Sequence, residues 1–371
     1  MEELDAYCIA AAARCPGMGG SRVRALVSAL GSGRALWQYE AGDLREAGRS
    51  IPAKVLQSLL DFRSAHPGYP EELADICRRQ DIKLLTGWQK AYPIILKEII
   101  EPPAVLYVKG RLEAEQSIAM VGSRRYTSYG EAVARELAEQ LAAAGLAVVS
   151  GGARGIDTFS HLGALKSMRE GRGGSTIAVL GCGVDVAYPA GNRRLFREIV
   201  ESGGALVSEY VPGTRPLPAF FPARNRIIAG LTRGTLVVEA ARRSGSLITA
   251  ELALSSGREV YAVPGSIYAP QSEGCHRLLQ QGAKLVQTAD DVLEDYGLSR
   301  EPVQKAKREL PPEQKKVWQV LSFEHPLTID EIVESLPEGE VSTLAFTLLQ
   351  MEMEGLVLEN ELHAYRRAER E

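Results

Sequence analysis

Short apolar runs alternate with longer stretches of helical spacing along the middle of the chain. The apolar runs predict seven strands, at residues 117–121, 146–150, 176–180, 205–208, 235–239, 259–263 and 284–287. The intervening stretches repeat apolar residues every three or four positions and predict helices at residues 129–144, 157–166, 193–201, 221–231, 246–255 and 273–281. Most strands are near-continuous in Val, Ile, Leu and Ala, which is typical of strands covered on both faces. The alternation predicts an α/β fold with a doubly wound, mostly parallel sheet.

The first part of the chain has only helical patterning. Apolar spacing predicts helices at residues 4–14, 21–30 and 53–62. Residues 1–64 are therefore predicted to form a small all-α domain. A glycine-rich turn at residues 15–20 joins the first two helices, in the manner of a SAM or helix-hairpin-helix module that offers backbone N–H groups to nucleic-acid phosphates. A purely structural glycine turn is an equally good interpretation.

The core domain is predicted to span residues 65–298, because strand-like runs at 82–85 and 105–108 precede the regular alternation. A polar, proline-ended linker follows at residues 299–312. The linker separates the sheet from a C-terminal domain of different pattern.

Residues 313–371 show three helical stretches and then two short strand-like runs near 355–358 and 363–365, the order of a winged helix. The third helix, at 340–354, contains three Glu and neither Lys nor Arg. A helix that enters a DNA major groove needs basic or amide side chains. The pattern therefore favours a protein contact or a structural role for this domain.

Composition excludes several classes of protein. The five cysteines are odd in number and form no C-x-x-C pair, which indicates a reduced, cytoplasmic protein without a disulfide framework or a zinc site. No apolar run reaches the length of a membrane span, and residues 1–15 lack a basic start followed by a cleavage site. We expect no metal and no membrane partner.

Charge is distributed unevenly, although the net formal charge is only −4. Residues 1–117 are neutral, residues 118–290 carry a net charge of +5, and residues 291–371 carry −9. Most basic residues of the middle part are arginines, whose guanidinium group suits bidentate phosphate contacts. The core is therefore the part of the chain that is expected to bind a polyanion.

Five glycine-rich turns each follow a predicted strand. They lie at residues 121–124, 150–155, 180–183, 243–246 and 264–266. In a parallel sheet such turns share the edge at the carboxyl ends of the strands, where these sheets bind ligands. Bare backbone N–H groups and helix N-termini there suit an anion, usually a phosphate.

The motifs for small phosphate ligands are absent or incomplete. No G-x-x-x-x-G-K-[ST] occurs, and the dinucleotide fingerprint that begins at Gly181 has Val186 in place of its third glycine. Asp157 and His161 share one helix face and could orient a nucleophile, but capping by Asp157 and local packing of His161 is the commoner arrangement. Hydrolysis is poorly supported, so no catalytic residue is assigned.

Arginines recur beside the turns, with aromatic residues close in sequence. Arginines and the amides of the turns can bind phosphates, and aromatic faces can stack on bases. This combination predicts a groove for single-stranded nucleic acid. The predicted DNA-binding residues are Gly122, Ser123, Arg124, Arg125, Gly151, Gly152, Arg154, Arg193, Arg224, Asn225, Arg226, Ser246 and Gly265.

The motifs at these turns resemble the DNA-processing protein family, known as DprA or Smf. The resemblance runs in order from about residue 70 to residue 290. It rests on residues 120–124, 150–157, 176–183, 237–240, 244–250 and 263–265, and above all on the string Phe-Pro-Ala-Arg-Asn-Arg-Ile-Ile-Ala-Gly at 221–230. The flanking domains also fit longer members of the family.

The resemblance implies a Rossmann-like DNA-binding core without enzymatic turnover and without a cofactor. It implies binding of incoming single-stranded DNA during natural transformation, protection of that DNA, displacement of single-strand-binding protein and loading of the RecA recombinase. It also implies a homodimer formed through the core. In the family the arginine of the G-S-R turn contacts DNA, which corresponds to Arg124, and the second turn contributes Gly151, Gly152 and Arg154.

Two positions depart from the family pattern. Gly152 stands where many members have Leu, which is expected to loosen the second turn. Ala190 and Gly191 stand where members often have a charged residue, with Arg193 and Arg194 nearby as substitutes. Two other functions stay open at this point: a nucleotide-glycoside hydrolase that uses Asp157 and Glu239, and an adaptor that works through the acidic C-terminal domain.

Overall fold

The computed structural model describes residues 3–299, 310–323, 325–336, 343–360 and 363–368. The chain forms two compact units, with the division between residues 301 and 302. Ten residues of the predicted linker, 300–309, lie outside the described part of the chain.

The first unit contains a nine-stranded sheet in the order β1-β2-β6-β5-β4-β3-β7-β8-β9. The strands are β1 Ile82–Thr86, β2 Val105–Gly110, β3 Ser117–Gly122, β4 Ala147–Ser150, β5 Ser175–Val179, β6 Ala205–Ser208, β7 Gly234–Glu239, β8 Glu259–Ala262 and β9 Lys284–Leu285. The seven strands from β3 onward are mutually parallel, and β2 pairs antiparallel with both β1 and β6. The predicted mostly parallel α/β sheet is confirmed.

Helices of the first unit precede the sheet or connect its strands. They are α1 Glu3–Ala13, α2 Gly20–Leu30, α3 Ala35–Gln38, α4 Ala41–Ala47, α5 Ala53–Ala65, α6 Tyr69–Arg79, α7 Ser128–Ala143, α8 Ile156–Arg169, α9 Arg193–Glu201, α10 Phe220–Gly230, α11 Gly245–Ser255, α12 Glu273–Gln280 and α13 Asp290–Tyr296. The sequence did not predict α3, α4, α6 or α13. Helices α3, α4 and α13 are only one or two turns long, too short to show helical periodicity.

The order of the strands fixes where a ligand site belongs. From β3 the chain moves outward through β4, β5 and β6, and it then returns to place β7 on the other side of β3. The connections that leave β3 and β7 therefore run in opposite directions. In a doubly wound sheet, the crevice outside the carboxyl ends of two such strands is the usual binding site.

The N-terminal helices share a hydrophobic core with the sheet. Buried Leu26, Leu59 and Leu73 from the helices belong to one cluster with Ile82 of β1 and Tyr107 of β2. Residues on both sides of position 64 thus lie in one compact unit, and a separate domain at 1–64 stays a prediction.

The glycine turn between α1 and α2 packs against the segment that precedes β2. The Cα of Gly20 lies so close to the carbonyl oxygen of Pro102 that a Cβ would clash with it. Arg24 Nη1 donates to the same oxygen at 2.8 Å. This contact gives the turn a structural role and supports the second of its two interpretations.

The second unit has its own small core. Its elements are α14 Pro312–Val320, β10 Leu327–Thr328, α15 Ile329–Ser335, α16 Leu344–Met353, β11 Val357–Glu359 and β12 Ala364–Arg367. The strands form a sheet in the order β10-β12-β11, packed with a buried cluster that includes Val317, Ile332 and Met351. The predicted three helices and two strands are present, and β10 is an additional strand. Residues 340–342 of the predicted third helix lie outside the described residues. The winged-helix interpretation stays a prediction.

Candidate nucleic-acid interface

A cavity of about 490 Å³ opens at the carboxyl ends of β3 and β7. We call it the switch-point groove. It is lined by Val121, Gly122, Ser123, Arg124, Arg125, Ala153, Asp157, Phe221, Pro222, Arg224, Asn225, Ile228, Ala241, Arg243, Ser244, Gly245, Ser246, Ile248, Thr249 and Gln271. The first and fourth glycine turns therefore meet at one site, where the strand order places a ligand.

The turn after β3 is held rigidly by Ser123. Its backbone N–H donates to the carbonyl of Glu239 at 2.7 Å, and its hydroxyl donates to the carbonyl of Arg125 at 2.8 Å. The hydroxyl also lies 3.1 Å from Gln271 Oε1. These bonds leave the side chains of Arg124 and Arg125 exposed at the rim, with the Arg124 guanidinium 5.9 Å from the centroid of the Phe221 ring.

The N-terminus of α11 forms the opposite wall of the groove. Ser244 caps this helix by accepting from the N–H of Ser246 at 3.4 Å, and the two hydroxyls lie 2.7 Å apart. The partial positive charge of the helix N-terminus faces the same space as the arginines. Arg243, exposed one residue before the cap, adds a third rim arginine.

The second glycine turn, after β4, is fixed by Asn192. Its side-chain amide donates to the carbonyl of Gly152 at 3.0 Å and to Thr158 Oγ1 at 2.9 Å. Gly152 has φ +62°, and a Cβ there would stand 2.7 Å from the ring of Phe196. The positive φ suits glycine, and Asn192 holds the turn; the expected loosening relative to other family members stays a prediction.

The structure corrects the predicted role of Arg224. Its side chain is only 4% exposed, and its Nη1 donates to the carbonyl of Gly151 at 2.7 Å and also to that of Val179. Burial lowers its pKa to about 10, and the nearby Asp157 carboxylate opposes that shift. The guanidinium therefore holds the second turn against β5 from the floor of the groove, instead of extending toward a phosphate.

Two further predicted contacts are already satisfied within the fold. Arg226 forms an ion pair with Glu209 and is largely covered, so its charge is neutralised internally. The N–H of Gly151 donates to the Asp157 carboxylate, as does that of Ala153 at 3.3 Å. Arg226 and Gly151 therefore make their contacts within the fold and do not line the groove.

The predicted residues divide into those that line the groove and those that do not. Those that line the groove together are Gly122, Ser123, Arg124, Arg125, Arg224, Asn225 and Ser246. Arg154 and Arg193 are exposed but do not line it. Gly265 lies in the turn after β8, where its carbonyl is 3.0 Å from His276 Nε2.

Several groove residues lie outside the predicted set of DNA-binding residues, and four of them add chemistry to the groove. Phe221 and Ile248 supply apolar surface, Arg243 supplies charge, and Gln271 meets Ser123. Arg243 stands in a recognised turn and could have been included. Gln271 carried no local signal, since its place at the groove depends on a contact across 148 positions.

The carboxylates that a hydrolase would use are engaged in the fold. Glu239 accepts from the N–H and the hydroxyl of Thr127, at 3.0 and 2.6 Å. Asp157 is buried beside Arg224, and burial raises its pKa. Neither carboxylate is arranged with a nucleophile and a base, so the geometry gives the hydrolase alternative no support.

His161 has a structural environment. It is fully buried, and its Nδ1 lies 2.7 Å from Thr176 Oγ1. Burial lowers its pKa to about 3, and the Arg224 charge acts in the same direction. The ring is therefore neutral throughout the physiological pH range.

We expect His161 to make the protein acid-sensitive. Its pKa is lower in the folded chain than the ordinary 6.5, so the unfolded chain binds the extra proton first and stability falls as the pH drops below 6.5. At pH 5, this difference in proton binding lowers the free energy of unfolding by about 2 kcal/mol relative to pH 7.5. Urea unfolding of the wild type and His161→Gln at pH 7.5 and pH 5 measures it. The wild type should lose more stability than the variant, and equal losses would contradict the assignment.

Fold and site together define a class of protein: a Rossmann-like sheet protein with an arginine-rimmed groove at its switch point. The family described as DNA recombination-mediator protein A matches residues 83–297, more than half of the chain. This chain belongs to that family. The family expectation drawn from the turn motifs is confirmed.

Individual relatives agree. DNA processing protein DprA of Streptococcus pneumoniae is 47% identical over 207 residues, which cover 55% of this chain and 71% of that protein. Protein Smf of Escherichia coli is 47% identical over 219 residues, 58% of this chain and 57% of that protein. The matched region therefore leaves more than two fifths of the E. coli protein uncovered.

Two solved structures resemble this one. The crystal structure of DprA from Streptococcus pneumoniae has a TM-score of 0.66 and 36% identity, covering 80% of this chain and 98% of that one. DNA processing protein A from Helicobacter pylori, solved to describe its single-stranded DNA binding mode, has a TM-score of 0.51 and 28% identity. That match covers 58% of this chain and 95% of the other.

No helix in the described ranges combines the length and apolar character that a membrane span requires. Within the same ranges, no group of three or more His, Cys, Asp and Glu side chains could hold a metal ion.

Proposed function

We propose that this chain binds single-stranded DNA in the switch-point groove and acts as a recombination mediator in the cytoplasm, without enzymatic turnover. The observation that carries the proposal is the convergence of Arg124, Arg125 and Arg243 with the N-terminus of α11 around one cavity. Exposed guanidinium groups and helix N–H groups bind phosphate oxygens without requiring a particular sequence. The Helicobacter pylori relative, described as a single-stranded DNA binder, supports the choice of ligand.

The rim of the groove combines exposed charge with an exposed aromatic ring. The cavity is open at its rim, where three arginines are exposed, and Phe221 and Tyr188 lie together with ring centroids 5.4 Å apart. Tyr188 is exposed and offers a face for base stacking. Arg154 and Arg193, exposed outside the cavity, extend the positive surface along the path of a longer strand.

The proposal is tested by measuring the affinity of the protein for single-stranded and for double-stranded DNA at two salt concentrations. We expect tighter binding of the single strand, and an affinity that falls as salt rises because phosphate contacts release counterions. The proposal would be rejected by equal affinities for the two forms of DNA, or by an affinity that does not change with salt concentration. Nucleotides should give little thermal stabilisation compared with oligonucleotides, because stabilisation follows free ligand over Kd.

The wider role rests on family membership. We propose that the bound strand is protected and handed to the RecA recombinase during natural transformation, with single-strand-binding protein displaced and with the core forming a homodimer. A pull-down of RecA in the presence and absence of DNA tests this step. Retained DNA binding after deletion of residues 302–371 would place the DNA site in the first unit and oppose the adaptor alternative.

A further inference from the structure

The turn after β8 presents two large apolar side chains to solvent. Tyr268 is 90% exposed and Ile267 is 78% exposed, and among the described residues no other large hydrophobic side chain is as exposed as Tyr268. The two neighbours form a small apolar patch, and contiguous exposed apolar surface is a feature of interaction sites. The turn lies at the same sheet edge as the switch-point groove, because β8 runs parallel to β7 and pairs with it.

Hydrogen bonds hold the main chain of the turn, so both side chains start from an ordered backbone. The N–H of Ala269 donates to the carbonyl of Ser266 at 3.1 Å, and that of Tyr268 lies 3.3 Å from the Ser266 hydroxyl. At the base of the turn, Tyr129 Oη donates to the carbonyl of Pro264 at 2.9 Å. A flexible loop would have to be ordered on binding, whereas this one is already formed.

The turn leads directly into the groove. Gln271 lines the cavity and contacts Ser123, and Tyr268 precedes it by three residues. Three residues of chain span at most about 11 Å, so the phenol ring lies within reach of a nucleotide that leaves the groove.

The arginines of the groove do not explain a preference for single strands, because phosphates are present in duplexes as well. Faces of unpaired bases are what distinguish a single strand, and aromatic and apolar side chains bind them by stacking or by insertion between bases. In a duplex those faces are covered by neighbouring base pairs. An exposed Ile–Tyr pair is therefore complementary to the single strand alone.

We infer that Ile267 and Tyr268 form a base-stacking finger that gives the groove its preference for single-stranded over double-stranded DNA. Tyr268 stacks on an unpaired base of the strand that leaves the groove, and Ile267 packs against the neighbouring base. This inference rests on the proposed function of the groove, to which it adds the selectivity that the arginines lack.

The finger is tested by a double-mutant cycle, in which one change removes the tyrosine from the protein and the other removes bases from the DNA. Wild type and Tyr268→Ala are each titrated with a single-stranded oligonucleotide and with the same strand carrying abasic sites. Tyr268→Ala should weaken binding of the normal strand about tenfold, and base removal should cost the wild type a similar factor. The variant should bind the two strands nearly equally, and its affinity for duplex should be unchanged.

Controls separate stacking from damage to the fold. Tyr268→Phe keeps the ring and should behave as the wild type, and Tyr39→Ala removes an exposed tyrosine from the N-terminal helices without effect. Unchanged affinity in Tyr268→Ala, or an equal loss on normal and abasic strands, overturns the finger. A change of oligomeric state without DNA would assign the turn to a contact between copies and overturn it also. If the wild-type protein does not bind single-stranded DNA, the proposed function of the groove is wrong. That result is distinct from failure of the finger, because it is seen before any substitution is made.

Discussion

Replacing Arg224 by methionine is expected to lower the free energy of unfolding by about 3–5 kcal/mol. The guanidinium is buried with the Asp157 carboxylate and donates to the carbonyls of Gly151 and Val179. Its removal leaves a buried negative charge without its cation and two carbonyl oxygens without their donor. Urea unfolding at pH 7.5 measures the loss.

A second variant shows whether the uncompensated charge is the cause. Adding Asp157→Asn to Arg224→Met removes the charge and should restore part of the lost stability. The matched control is Arg45→Met, at an exposed arginine bonded to Gln57, where the change should stay within about 0.5 kcal/mol. If Arg224→Met were as stable as this control, the structural role of Arg224 would be wrong.

Replacing Arg124 by alanine is expected to weaken single-stranded DNA binding by about one to two orders of magnitude, the usual value of a hydrogen bond to a charged group. The exposed guanidinium stands at the groove rim, and its turn is fixed by Ser123. Loss of one phosphate contact should also reduce the slope of log affinity against log salt by about 0.7. Titrations at several salt concentrations measure both quantities.

Arg124→Lys distinguishes charge from geometry. It should keep the salt slope while losing part of the affinity, because an ammonium group neutralises the phosphate without a bidentate contact. Arg45→Ala removes an exposed arginine from the N-terminal helices and should change neither quantity. An Arg124→Ala protein with wild-type affinity and slope would show that the strand does not pass this rim.

Arg224 and Arg124 illustrate how far sequence reasoning reaches into the site. Both arginines stand near glycine turns at the same sheet edge, and the sequence treated them alike. The fold places one under the floor of the groove and the other on its rim. Solvent exposure depends on which elements cover a side chain, and that information lies in α8, β5 and α10 together.

Local pattern was sufficient for the elements of the sheet. Continuous apolar runs predicted the bounds of β3 to β8 to within one or two residues. The reason is that strands covered on both faces consist almost entirely of apolar residues. The antiparallel β1 and β2 were also found as strands. Their pairing at the edge was not, because strand partners are chosen by contacts distant in sequence.

By itself, the sequence determined the parallel α/β sheet, the glycine turns at one edge and the excess of arginine near them, because each follows from residues adjacent in the chain. Only the tertiary structure decided which turns form the groove. The order of the strands brings the turns after β3 and β7 together, and burial assigns Arg224 to the fold while it leaves Arg124 exposed. The β3–β7 pairing joins segments more than a hundred residues apart, and the contacts of Arg224 span 73 and 45 positions, so no local pattern encodes either outcome.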